Sequence, residues 1–413
     1  MSERAQVEKP FLDQLAALGW EVIDHGECLP ASPASSHRSD FKEVALRSIF
    51  KQAINALNMD EAGNPWLTSG QLDWVFDFVT DPKGLLVEAN EAVHKLLLAG
   101  IPDVEDKRTS GAPSRTVRLV AFDKPEKNHF LAINQFRINT PGQVKEHIRP
   151  DMVLFVNGLP LIVIEAKQAN AFTSIPLEEA IEQLFRYSER RDESTKAGVK
   201  EGVERLFHFN LFSIATTGNE ALYGSVTTDQ EEFQPWRSIE PPEFQKFNPP
   251  LGGSVRAQET LIQGMLAKPT LIDLLKNFVI FQTKGEHRVK VVCRYPQYRA
   301  VLKAIRRIRT GDGLGRGGVI WHTQGSGKSL TMVFFVRKLR SSNDLQDFKV
   351  LMVNDRTDLE EQLEGTAADT DEPVTTIENA KELKEKLSKS DSNLYLVMVH
   401  KFREKTEELS DAV

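Results

Sequence analysis

The sequence predicts two α/β domains in tandem, and three observations carry that reading. The first half passes from amphipathic helices into short β-branched and aromatic runs, the second half alternates strand-like and helix-like stretches, and a Pro- and Gly-dense segment separates them. A chain of 413 residues that is 40% hydrophobic and 27% charged has length for roughly two to three domains with ordinary cores. Disordered, collagen-like and coiled-coil classes are excluded.

In chain order, Val7, Phe11, Leu12, Leu15 and Leu18 recur at helical spacing up to Gly19, and the pattern returns over Phe41 to Leu57 and Leu85 to Leu98. Pro30 to Asp40 and Asp103 to Arg115 read as loops. Five strands are predicted at Val117 to Phe122, Phe130 to Ile138, Met152 to Val156, Leu161 to Ile164 and Leu211 to Thr216. The stretch Glu240 to Gly253, EPPEFQKFNPPLGG, has the composition of an interdomain connection. The boundary is placed there, giving domains over residues 1–245 and 246–413. Beyond it come helices over Ala257 to Val279 and Gln297 to Arg309, then a glycine-rich loop, GDGLGRGG. Strand Val319 to His322, helix Lys328 to Leu339, strand Val350 to Val353, a helix from Asp358 and strand Leu394 to Val399 follow, an alternation that predicts a parallel sheet. There is no internal repeat.

Charge and cysteine content narrow the function classes. With 52 Lys and Arg against 59 Asp and Glu the net charge is −7, which excludes a uniformly basic nucleic-acid binder and leaves only a local basic groove. Arg299, Lys303, Arg306, Arg307, Arg309 and Arg316 crowd one segment and are the candidates for it, or else form a solvated helix end. Cys28 and Cys293 alone make neither a disulfide framework nor a zinc site, which fits a reducing cytoplasm. With no signal peptide and no run of about 18 apolar residues, no membrane association is expected.

The strongest local signal is GGVIWHTQGSGKSLTM. An apolar strand enters Thr323, Gln324, Gly325, Ser326 and Gly327, whose backbone N–H groups suit a phosphate, and the helix starting near Lys328 points its positive end at the same anion. Lys328 is expected to reach the β/γ-phosphates of ATP or GTP, and the Ser329 hydroxyl to ligate Mg²⁺. His322 stands where the general pattern has its first glycine. A Gly/Ser turn before an amphipathic helix is the plainer reading. One helix upstream, the Gln297 amide has the donor and acceptor needed to select adenine, or is simply a helix-start glutamine.

The second signal is Asp151-MVLFVNGLPLIVI-Glu165-Ala166-Lys167, two apolar strands around an Asn157-Gly158 turn with an acid at each far end. Glu165 and Lys167, two apart on a strand, face the same way. A regular two-residue hairpin pairs Asp151 with Ile164 and sets the two acids on opposite faces, whereas one bulge brings them together. Pro160, which cannot donate to a ladder, makes such an irregularity plausible. Two carboxylates and a lysine at one strand end suit phosphodiester hydrolysis: the acids hold Mg²⁺ and the ammonium orients water or stabilises charge. Ordinary salt bridging on a strand face is the other reading of this spacing. Downstream, Gln183 and Tyr187 lie one helical turn apart and can address the same place.

Several strings together, in order, resemble a known family: LVAFDKPEKNHFLAINQFRI, RPDMVLFVNGLPLIVIEAK, EQLFRY, LFHFNLFSIATTGNEALYGS, RYPQYRAVLKAI, GGVIWHTQGSGKSLTM, VNDRTDLEEQL and VHKFREK. Over essentially its whole length the chain resembles the restriction (R, or HsdR) subunit of type I restriction-modification enzymes, ATP-dependent DNA translocases that carry their own nuclease. The resemblance implies an α/β PD-(D/E)xK endonuclease domain, a mixed sheet with flanking helices, over 1–245, and the first RecA-like lobe of a superfamily 2 motor over 246–413. Asp151, Glu165 and Lys167 are the implied nuclease core, Gln183 and Tyr187 its Q-x-x-x-Y element, and Glu8 an extra acid near the metal. His322 is usual for the family, while Pro296 stands where it more often has His.

Further implications are Mg²⁺-dependent cleavage of unmodified double-stranded DNA, ATP as fuel, and partner methyltransferase (M) and specificity (S) subunits that bring S-adenosylmethionine. Asp355-Arg356-Thr357-Asp358-Leu359 resembles motif Ia and Val399-His400-Lys401-Phe402 motif Ib, both expected on the DNA backbone. No acidic Mg²⁺ motif or second lobe follows before Val413, so residues 1–413 alone are expected to bind ATP but not to hydrolyse it efficiently. A repair helicase-nuclease of the same superfamily and a non-catalytic ATP-binding docking module are the competing readings. Cleavage abolished by Lys167→Ala separates the first from the second, and co-purifying methyltransferase and specificity subunits set the restriction reading apart from both.

Overall fold

The computed structural model describes residues 2–108, 111, 113–168, 175–237, 239, 257–354, 374–389, 391 and 393–399. The Glu240 to Gly253 connection, the Ia segment at Asp355 to Leu359 and all of the Ib segment except Val399 lie outside them. The chain divides into two compact units, one of Met1–Lys276 with Lys290–Val292 and one of Asn277–Val289 with Cys293–Val413.

The first unit is built on a mixed sheet. Its strands, seven among the described residues, run in space as they do in sequence: β1 (Glu21–Ile23), β2 (Phe130–Asn134), β3 (Met152–Val156), β4 (Leu159–Ala166), β5 (Phe212–Thr216), β6 (Ala221–Gly224) and β7 (Gln234–Pro235). The pairs β1–β2 and β4–β5 are parallel and the others antiparallel. Every residue of β2, β3, β4 and β5 is buried, which is why these segments read as continuous apolar runs rather than alternating ones. Helix α1 (Lys9–Ala17) packs beside β1, and α5 (Pro176–Tyr187) lies on β4 and β5. Helices α2 (Arg47–Leu57), α3 (Ser69–Thr80) and α4 (Leu86–Ala99) form the stretch between β1 and β2.

The β3–β4 hairpin positions the candidate site. Asn157 and Gly158 have φ of 51° and 79°, the two positive values that a primed two-residue turn demands, so Val156 pairs with Leu159. Phe155 pairs with Pro160, but Leu154 pairs with Ile162, leaving Leu161 as an extra residue. That bulge shifts the register so that Met152 opposes Ile164, and one step further Asp151 opposes Glu165 on the same face.

Two expected elements came out differently. Val117 to Phe122 forms a strand only over Arg115–Val117. Beyond it, asparagine side chains replace the ladder: Asn157 Nδ2 donates to Leu119 O (2.9 Å) and Ala121 N donates to Asn128 Oδ1 (2.9 Å). Likewise, Phe130 to Ile138 breaks after Asn134 because Gln135 adopts φ 52°, outside the extended region. Past the predicted boundary, α6 (Ala257–Met265) and α7 (Lys268–Asn277) belong to the first unit. Thr216 Oγ1 donates to Gln258 Oε1 (2.9 Å), and Trp20 Nε1 to Leu266 O (3.0 Å).

The described chain continues through a ribbon of β8 (Val279–Lys284) and β9 (His287–Val292), α8 (Tyr295–Thr310) and α9 (Lys328–Arg340). In the second unit β10 (Val350–Asn354), β12 (Leu394–Met398) and β11 (Val374–Ile377) make a parallel sheet with β12 central. Leu394 and Leu396 face Val333 and Val336 of α9, whereas Tyr395 and Val397 face Leu383 of α10 (Ala380–Ser388). Helices thus cover both faces, as parallel sheets require. Val319 to His322, expected as a strand, is unpaired among the described residues, with Val319 92% and Trp321 88% exposed. Apolar β-branched residues favour a strand, but a ladder needs a neighbour.

The tight turn generates a prediction. A Cβ on Gly158 meets Leu46 O and Phe50 N at 2.7 Å, backbone atoms that cannot move aside, at a φ that L-residues resist. Gly158→Ala is expected to destabilise the unit by more than about 1 kcal/mol; an unchanged thermal midpoint contradicts this reading of the hairpin.

Candidate active site

At the far end of the β3–β4 hairpin the chain buries acids. Asp151 is almost fully buried and Glu165 completely so. The bulged register sets them side by side: Asp151 Oδ2 accepts the Ala166 N–H at 2.8 Å, and Lys167 Nζ donates to Glu165 Oε1 at 2.7 Å. Glu165 Oε2 is buried without a hydrogen-bond partner among the described residues. A buried carboxylate oxygen left unmatched costs free energy unless it takes a proton or a cation.

The segment carrying Asp151 is pinned from two sides. Gln135 N donates to Asp151 O (2.8 Å) and Phe136 N to Pro150 O (3.1 Å). From α5, Tyr187 OH donates to Arg149 O (3.0 Å) and Gln183 Nε2 donates to Tyr187 OH (2.6 Å). Gln183 and Tyr187 therefore meet the site through the Arg149 backbone.

Glu8 also arrives there. Residues Arg4–Glu8 form a π-helical turn ahead of α1, a rare geometry frequent at functional sites. Glu3, Glu8 and Asp151 each offer a carboxylate oxygen, all within 4.8 Å of one another. Gln135 Nε2 donates to Glu8 Oε2 (3.1 Å), and Gln168 N donates to Glu3 Oε2 (2.7 Å). Glu3, Gln135 and Gln168 were missed by sequence reasoning. For Glu3 a signal existed: it stands five residues before Glu8, the repeat of a π turn.

Burial sets the electrostatics. Desolvation pushes Glu8 up to about 7, with the Asp151 charge adding to it. It raises Asp151 against the opposing pull of Lys167 and the Ala166 N–H, and it drives Glu165 far above the ordinary range with help from Asp151. Lys167 is raised despite its burial, because Glu165 and Asp151 hold its proton. Carboxylates raised together in this way are what a bound cation reverses.

In the second unit Gly325 and Gly327 take φ of 75° and 77°, and Gly327 caps α9. Lys328 Nζ donates back to Thr323 O (3.1 Å) and His322 O (3.3 Å), and Ser326 Oγ to Thr323 O (2.6 Å). Ser329 lies in the first turn of α9, as expected of a phosphate loop. Gln297 is buried, accepting from Arg294 N (2.8 Å) and donating Nε2 to Gly327 O (3.0 Å). Its amide thus braces the loop backbone. Arg299, Lys303, Arg307 and Arg316 line a cavity of about 730 Å³ with Trp321 and His322, while Arg309 pairs with Asp344 at 2.8 Å.

Comparison with known proteins agrees with these two centres. The family described as "Type I restriction enzyme R protein N terminus" matches residues 1–232, and that described as "SWI2/SNF2 ATPase" matches residues 296–412. The type I restriction enzyme HindI endonuclease subunit of Haemophilus influenzae is 29% identical, covering 99% of this chain and 37% of its own length. The putative type I restriction enzyme MjaIXP endonuclease subunit of Methanocaldococcus jannaschii is 26% identical, covering 99% and 38%. The chain spans a little over a third of the length of these relatives.

The shifted Glu8 makes stability depend on pH. Its carboxyl sits at about 7 in the folded chain against an ordinary 4.5, so the folded state holds the proton better. That contribution is complete below about 4.5 and lost as the pH rises through about 7. In metal-free buffer the melting temperature of the wild type is expected to fall more steeply from about pH 5 to about pH 8 than that of Glu8→Gln. Parallel curves contradict the shift.

Proposed function

This chain belongs to the type I restriction enzyme R protein family, and from that premise we propose that its first unit is a PD-(D/E)xK endonuclease and its second the first RecA-like lobe of a superfamily 2 motor. The reaction is Mg²⁺-dependent cleavage of unmodified double-stranded DNA, coupled in the whole assembly to ATP-driven translocation. The observation that carries the reading is the convergence of Asp151, Glu165 and Lys167 at one sheet end, with Glu165 Oε2 buried and unpartnered.

The residues fit a divalent cation, with Asp151 and Glu165 as its holders. When bound, such an ion polarises a phosphate oxygen and lowers the pKa of water. Lys167, fixed by Glu165 yet still partly exposed, presents its ammonium where it orients a water or meets charge developing on the phosphate. Gln183 and Tyr187 act as positioning residues through Arg149. In the second unit the N–H groups of Gly325 to Ser329 and the Lys328 ammonium suit the β/γ-phosphates of ATP, with Ser329 toward Mg²⁺. Lys328 must then exchange its bonds to Thr323 and His322 for bonds to phosphate.

Recognition and methylation belong, on this reading, to specificity and methyltransferase partners with S-adenosylmethionine. The basic cavity beside Trp321 supports a DNA-backbone contact.

The two centres are separable by mutation. In the full assembly Lys167→Ala is expected to lower cleavage by about 10²–10³-fold and leave DNA-stimulated ATP hydrolysis unchanged, while Lys328→Ala abolishes ATP binding. Cleavage that persists in Lys167→Ala, or ATP hydrolysis that disappears with it, sinks the assignment.

A further inference from the structure

Four carboxylates gather at the candidate nuclease site, and one ammonium answers them. Glu3, Glu8 and Asp151 lie mutually within 4.8 Å, and Glu165 stands opposite Asp151 across the hairpin with Lys167 on its Oε1. Neighbouring cations are committed elsewhere: Arg4 pairs with Asp24 at 2.6 Å and donates to Gly26 O at 3.1 Å, and Lys9 pairs with Asp13. Neither Glu3 nor Glu8 makes an ion pair among the described residues.

Fully ionised, four acids and one lysine leave a charge of about −3, and charges this close in a low-dielectric site repel strongly. One divalent cation reduces that to about −1, which still repels a DNA phosphate. Two bring it to about +1, which attracts one.

Two further observations point to a ligand rather than to a mere acidic surface. Glu165 Oε2 is wholly buried and unpartnered. Gln135 is 3% exposed, donates Nε2 to Glu8 and leaves its Oε1 without a partner among the described residues. Glu3, meanwhile, is oriented by the Gln168 N–H immediately after Lys167.

We propose that Glu3, Glu8 and Asp151 hold a second divalent cation beside the one held by Asp151 and Glu165, so that Asp151 is shared and the N-terminal π turn is part of the metal centre. Gln135 steadies Glu8 and offers a neutral oxygen to that ion or to its water. The arrangement rests on the nuclease reading of the site and adds to it a ligand, Glu3, supplied from outside the hairpin. Paired cations about 3.5–4 Å apart are suited to stabilising both the attacking and the leaving oxygen of a phosphodiester.

The test uses residues 1–413, nucleotide-free, with Mn²⁺ as the probe in titration calorimetry and electron paramagnetic resonance. The wild type is expected to bind two ions per chain with a signal broadened by spin coupling. Glu3→Gln is expected to weaken one of them by more than about tenfold and to restore the six-line spectrum of an isolated ion, and Glu8→Gln to do the same. Two coupled ions retained in both variants overturn the proposal. A single wild-type ion, lost in Glu165→Gln and indifferent to Glu3→Gln, overturns it while leaving the nuclease reading intact; no Mn²⁺ binding at millimolar concentration overturns both.

Discussion

The register of the β3–β4 hairpin is the constraint on which the rest of the first unit depends. Side chains alternate along a strand, so the pairing of Leu154 with Ile162 rather than Leu161 decides whether Asp151 shares a face with Glu165. The Asn157-Gly158 turn sets the near end of the hairpin, and the extra residue at Leu161 resets the far end. The same turn is wedged against the start of α2, where Leu46 N donates to Gly158 O at 2.8 Å. Bulges re-aim side chains beside functional sites, and this one determines where two carboxylates meet.

Bringing acids into a sheet end that is otherwise apolar carries a folding cost. Glu165 is flanked by Ile164 and Ala166, both fully buried, and has only Lys167 as a counter-charge at bonding distance. Buried ion pairs seldom stabilise a fold more than an apolar pair of similar size does. A site this costly holds because its surroundings over-determine it: the Asp151 carbonyl is fixed by Gln135, its carboxylate by Ala166, and the Arg149 carbonyl before it by Tyr187. Gln135 itself adopts a left-handed backbone, strain of the kind that collects at such places.

The second unit obeys a different logic. Its loop at Thr323 to Ser329 is local chemistry, needing glycines at positive φ and a helix start, and both are present. The tertiary contribution is the bracing from α8, where the Gln297 amide reaches Gly327 O. A Cβ on Gly327 meets that amide nitrogen at 2.6 Å, so the glycine serves the close approach of the brace as well as its own backbone angle.

Several features were legible in the sequence because their causes are local. The primed turn follows from the residue types at Asn157 and Gly158, the phosphate loop from its glycines and lysine, and the buried strands from continuous apolar runs. Pro160 marked the place where the ladder becomes irregular, though not the direction in which it shifts. Tertiary structure decided what needs a distant partner. It brought Glu3, Glu8 and Gln135 to Asp151 across more than a hundred residues of chain, replaced the strand after Val117 by asparagine bonds, and left Val319 to His322 unpaired among the described residues. Turns and phosphate loops satisfy their conformational demands within a few residues, whereas a strand or a buried carboxylate is completed only by groups remote in sequence.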